Sequence, residues 1–144
     1  MKYIFSVVIF LTSFTLFAQD WHIDFEEAKS VASKNQQNIV LVFQGSDWCA
    51  PCIKLDREVW STKEYQELAK NHFVMLKADF PRKKGNKLSE NLQKQNAHLA
   101  ETYNKEGFFP LVVILSSDGK ILGKLGYEKT TPEQYFNKLI TFEN

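Results

Sequence analysis

Cysteine is nearly absent from this chain: there are two, Cys49 and Cys52, in 144 residues. Histidine is hardly commoner, with His22, His72 and His98 scattered along the sequence. A structural zinc site needs four ligands, from two cysteine pairs or one pair plus closely spaced histidines. That ligand count sets a zinc reading aside, and no metal site is expected. No apolar run reaches the ~20 residues of a spanning helix. No internal repeat or low-complexity tract is present. Charge of one sign is lacking too, with 18 basic against 17 acidic residues. Nothing global therefore steers the chain toward nucleic acid or an anionic membrane. One local exception is the basic run Arg82-Lys83-Lys84 with Lys87. A solvated loop is the plain reading of it, and an acidic partner surface the sharper one.

The first eighteen residues differ from the rest. Lys2 is followed by a mostly apolar stretch from Tyr3 to Phe17, closed by the small residue Ala18. A charged start, an apolar middle and a small terminal residue predict a secretory signal peptide over 1–18. An uncleaved anchor is the alternative, favoured by the bulky Leu16. Without this segment 126 of the 144 residues remain, and with Lys2 gone the charges balance at 17 each. A chain of that size can bury about two thirds of its unfolded surface. It is expected to form one domain and to be a monomer.

Residues Ile39 to Phe43 are continuously apolar and β-branched, as in a strand buried on both faces. Phe73 to Ala78, Leu111 to Leu115 and Ile121 to Gly126 read as further strands, the last two joined by the turn Ser117-Asp118-Gly119-Lys120. Asp24 followed by Glu27 predicts a helix to about Asn35. Another helix begins around the cysteines and runs to about Glu58. Ser61 and Glu64 predict a third, ending near Lys70. Apolar residues at 92, 99, 100 and 103 mark an amphipathic helix over 89–103. Thr131-Pro132 starts a last one. This order predicts an α/β fold, with a mixed central sheet flanked by helices on both faces.

The two cysteines stand together in Trp48-Cys49-Ala50-Pro51-Cys52, directly after the first predicted strand. A structural disulfide gains most by closing a long loop, and this pair closes a very short one. Its use is therefore chemical. Disulfide exchange needs an attacking thiolate, a second thiol to resolve the mixed disulfide, and access for a partner. A cysteine at a helix start meets free N–H groups and the positive end of the helix dipole, which favour the thiolate. Cys49 is the expected nucleophile, partly exposed, and Cys52, a turn further in, the resolving thiol. Ala50 and Pro51 form the active-site loop, and Pro51 has no N–H to lose in the first turn. Trp48 is read either as a flat apolar surface for a partner chain or as a packed core aromatic.

The segment Ile39 to Cys52, the strand Phe73 to Asp79, and Gly107-Phe108-Phe109-Pro110 before an apolar strand together resemble the thioredoxin superfamily. The nearest likeness is to exported thioredoxin-like and thiol-disulfide interchange proteins. In these an acidic residue and an aromatic-Ser segment follow the cysteines, here Asp56-Arg57-Glu58-Val59-Trp60-Ser61. The resemblance implies a thioredoxin-like domain over 19–144. It implies a cis Pro110 facing the cysteines and a substrate-binding surface made of Trp48, Phe109 and Pro110. It also implies an exported thiol-disulfide oxidoreductase without a cofactor, in the periplasm or cell envelope or else secreted. Its expected work is to reduce disulfides in exported proteins with electrons from a membrane thiol donor. Oxidase, isomerase and non-catalytic binding module are the alternatives.

The chain departs from thioredoxin at two buried positions. Phe43 stands where thioredoxin has a buried acid six residues before the first cysteine, and Met75 where it has a lysine. The stretch from Asp79 to Pro110 is about a dozen residues longer. Asp47, Asp56 and Glu58 are candidates for the missing acid, with solvated surface roles as the plain alternative for each.

Overall fold

The structure, a computed structural model, describes residues 20–143. The expected signal segment lies outside the described residues. The elements run β1 (Trp21–His22), α1 (Phe25–Asn35), β2 (Asn38–Gln44), α2 (Ala50–Leu55), α3 (Lys63–Ala69), β3 (Phe73–Asp79), α4 (Glu90–Tyr103), β4 (Leu111–Leu115), β5 (Ile121–Leu125) and α5 (Pro132–Ile140).

The strands form one sheet in the order β1-β3-β2-β4-β5. β3 pairs in parallel with both β1 and β2, whereas β4 pairs antiparallel with β2 and β5. The apolar sequence of β2 follows from its central place. Along it, Val40 and Val42 point into one core, and Ile39, Leu41 and Phe43 into the other. This is the period-two alternation of a strand with both faces covered. The first core takes Leu55 from α2, Tyr65 and Ala69 from α3, and Tyr135, Phe136 and Leu139 from α5. The second takes Ala28 and Ala32 from α1 with Leu99 and Tyr103 from α4.

The helix starts follow their capping chemistry. Asp24 accepts from Glu27 N–H, Ser89 from Leu92 N–H and Thr131 from Gln134 N–H, each satisfying a donor left free at a helix start. The start of α3 differs from the expectation: its cap is Thr62, which accepts from Tyr65 N–H, and not Ser61. Ser61 instead closes the preceding turn. After α2 the chain widens into a π-helical turn over Asp56–Trp60, with Ser61 N–H donating to Asp56 O at 2.8 Å and Ser61 Oγ to the Asp56 carboxylate at 3.1 Å. That extra residue per turn swings Trp60 into the core, where it lies edge-on to Trp21, Tyr65 and Tyr135. β1 was not anticipated, because two residues are too few to show a period.

Candidate active site

Cys49 and Cys52 sit where the carboxyl end of β2 passes into α2. A tight turn makes that passage, with Cys49 N–H donating to Gly45 O at 2.9 Å. Cys49 is the N-cap of α2, and its Sγ accepts from Cys52 N–H at 3.3 Å. The two cysteines form a disulfide, with Cα atoms 5.2 Å apart. Both are buried, Cys49 at 3% and Cys52 at 4% exposure. The expected difference in exposure is thus not present in the disulfide form; what separates the two sulfurs is the cap position of Cys49. Pro51 and Ala50 are exposed in the first turn of α2.

Two carboxylates from opposite sides tie the cysteine loop to the loop that follows β3. Asp79, ending β3, accepts from Ser46 N–H at 2.9 Å and from Ser46 Oγ at 2.6 Å. Asp47 reaches the other way and accepts from Arg82 N–H, Lys83 N–H and Asn86 Nδ2 at 2.9–3.0 Å. Those donors, the Arg82 N–H foremost, hold the Asp47 carboxyl below its ordinary value. Asp47 is therefore a loop anchor at the surface.

Trp48 is half-buried between the two loops. Its Nε1 donates to Phe80 O at 2.7 Å. Its ring lies over Gly45, tilts against Phe109 at 5.4 Å between centroids, and carries the Arg82 guanidinium 3.7 Å from its centroid. The ring is thus a packed aromatic, held between Gly45, Phe109 and Arg82.

The Phe109–Pro110 peptide is cis. Asn104, buried at the end of α4, holds the loop before it through paired bonds: its Nδ2 donates to Phe108 O, and its Oδ1 accepts from Phe108 N–H, both at 2.9 Å. Gly107 makes that turn at φ +71°, a left-handed conformation that favours glycine. An open groove runs beside the disulfide, lined by Pro51, Phe108, Phe109, Pro110, Leu125 and Tyr127. Phe108 is 61% exposed on its rim.

The positions of the missing charges are apolar in the structure as in the sequence. Phe43 is fully buried and stacks near Phe80, and Met75 is fully buried and accepts from Tyr65 Oη at 3.4 Å. Of the acids near the motif, Asp56 is taken up by Ser61, and Glu58 accepts from Tyr127 Oη at 2.8 Å. Glu58, too, is engaged by a side chain, at a half-buried position. The role of Asn104, the Asp79–Ser46 tie and the Asp47 ties to Arg82, Lys83 and Asn86 are not visible in the sequence.

Among the described residues no three His, Cys, Asp or Glu side chains come together as a ligand set. His72 pairs with Glu143, and His22 approaches Glu27. No helix among them is long and apolar enough to cross a membrane.

A parallel β2–β3 pair, an antiparallel β4–β5 hairpin and a cysteine pair capping the helix after β2 define a thioredoxin-fold thiol-disulfide oxidoreductase. The Thioredoxin-like family matches residues 20–117, and the chain belongs to that family. It is 32% identical over 115 residues to the disulfide bond reductase DsbH of Chlamydia pneumoniae, covering 80% of this chain and 68% of that one. It is 26% identical over 106 residues to the thioredoxin-related protein DsbJ of the same organism, covering 74% of this chain but 30% of that one. Among solved structures, a DsbH oxidoreductase superposes with a TM-score of 0.80 at 30% identity, covering 88% of this chain and 85% of the other. The partners of such a chain are disulfide-exchange partners.

Proposed function

We propose that this protein is exported and reduces disulfides in other exported proteins, with Cys49 attacking and Cys52 resolving. The observation that carries the reading is the cap geometry: the Cys52 N–H points at the Cys49 sulfur, at the positive end of α2. In the dithiol form these groups favour a thiolate on Cys49. That thiolate attacks one sulfur of a substrate disulfide, and the other substrate sulfur leaves as a thiolate. Cys52 gives up its proton and attacks Cys49 in the mixed disulfide. The substrate departs as a dithiol, and the Cys49–Cys52 disulfide remains. Two electrons and two protons from a membrane thiol donor restore the dithiol.

Trp48, Phe109 and Pro110 form the surface that receives the substrate chain in this reading, with the groove beside Pro51 taking its apolar side chains. The apolar start of the sequence supports export to the periplasm or cell envelope. The reducing direction is supported by the likeness to a protein named as a reductase. It is tested by the Cys49/Cys52 potential in a redox buffer. A value near the −270 mV of thioredoxin fits a reductase, whereas one near −120 mV assigns an oxidant and overturns the direction. The roles are tested by trapping: Cys52→Ser should accumulate mixed disulfides with exported proteins, and Cys49→Ser should not. The reverse pattern exchanges the roles.

A further inference from the structure

Of the six residues from Arg82 to Lys87, four are cationic and all six are exposed. Asp47, the acid against this loop, spends its carboxylate on the Arg82 and Lys83 N–H groups and the Asn86 amide. That grip fixes the backbone and leaves Lys83, Lys84 and Lys87 exposed, with Arg82 against the Trp48 ring. None of Arg82, Lys83, Lys84 and Lys87 forms an ion pair among the described residues.

The loop also stands at the site. The Arg82 guanidinium stands over Trp48, the residue before Cys49, at 3.7 Å from the ring centroid, and the same ring packs against Phe109. A guanidinium stacked on an aromatic face keeps its N–H edge free, and that edge matches a carboxylate in two parallel bonds. We propose that the 82–87 loop is a docking surface for acidic segments of the substrate polypeptide, with Arg82 on Trp48 as its carboxylate contact beside the disulfide. The inference rests on protein disulfides being the substrates. It makes the loop a selector: chains with Asp or Glu near the reducible disulfide are captured first, and basic chains are turned away. Such steering acts mainly on the rate of encounter and weakens as salt shortens the reach of the charges to about 10 Å at 0.1 M.

The test uses three unstructured peptides that share one internal disulfide and differ only in acidic, neutral or basic flanks. Cysteine-free versions of the same peptides measure binding by NMR. At low salt the purified protein should exchange with the acidic peptide roughly tenfold faster than with the basic one, and the ratio should approach one at high salt. The cysteine-free acidic peptide should shift the amides of Arg82 to Lys87 and the Trp48 indole N–H. Reversing the loop charge, with Lys83→Glu, Lys84→Glu and Lys87→Glu together, should invert the order of the peptides. A misfolded variant loses all three rates and cannot invert them. Equal binding of the three cysteine-free peptides, or a preference for acid that survives charge reversal, overturns the proposal. If the acidic peptide binds at this loop but no disulfide is exchanged, docking stands and the reductase reading falls.

Discussion

A methyl group on Gly45 would fall 2.2 Å from Cε2 of Trp48, well inside contact distance. The glycine that closes the turn into α2 is thus the floor on which the indole before Cys49 rests. Its φ is not in the left-handed region, so the backbone accepts alanine and the conflict falls on the ring. Gly45→Ala should push Trp48 off Phe80 O and out from under Arg82. An overpacked contact of this kind costs about 1–3 kcal/mol. The indole N–H resonance of Trp48 should move toward its solvent-exposed position, and exchange with protein disulfides should slow. An unchanged indole resonance would show that the ring has room the structure does not give it.

How much of this was legible beforehand depended on range. The strands β2, β3 and β4 show themselves because burial on both faces demands unbroken apolar runs, and Ile39–Phe43 and Leu111–Leu115 supply them. The cysteine pair at the start of α2 is read from spacing alone. The Thr62 cap was misassigned to Ser61 because the π-helical turn adds a residue before it, and no local pattern announces that turn. The ties of Asp47 to Arg82, Lys83 and Asn86 span 35 to 39 residues. They depend on β2 and β3 ending side by side, with Gln44 opposite Asp79. A sequence contains each partner but not that register. Asn96 was hidden for a similar reason: it lies on the buried side of α4, where its amide donates to Asp79 O at 3.0 Å.

Asn104 should set the shape of the rim of the groove. Its amide makes both bonds to the Phe108 backbone and is itself only 3% exposed. Asn104→Ala removes both partners at once, and each buried group left unpaired costs about 1–3 kcal/mol. Phe108 can regain water, so the loss should sit toward the lower end. Amide exchange of Gly107 and Phe108 should accelerate while that of β4 stays protected. Uniform loss of protection across β4 would mean that Asn104 supports the whole fold and not the rim alone.

Trp60 should be among the costliest residues to truncate. It is 1% exposed and lies edge-on to three other aromatic rings. Trp60→Ala should lower the unfolding free energy by about 3–5 kcal/mol, read as a lower urea midpoint at unchanged slope. A loss under about 1 kcal/mol would show that the π-helical turn can refill the space. Trp48, half-buried at the surface, should cost less when truncated, because part of its ring is already in water.

Asp47 should make the loop beside the site sensitive to acid. Its carboxyl is lowered by the N–H and amide donors of the 82–86 segment, so the folded protein holds the proton less tightly than the unfolded chain. A group of this kind contributes stability above its unfolded value of about 3.8, and that contribution is lost as pH falls through the lower folded value. Asp47→Asn removes the charge at every pH and offers one acceptor in place of two. At neutral pH the variant should therefore show faster amide exchange at Arg82 and Lys83 than the parent. As pH falls through the lowered folded value, the parent's carboxyl takes up its proton and the two proteins should converge. The check is amide exchange of this loop, corrected for its intrinsic pH dependence, in both proteins at neutral and acid pH. A gap that persists unchanged into strong acid would mean that the amide fails by shape and not by charge, and that the ionised carboxylate is not what holds the loop.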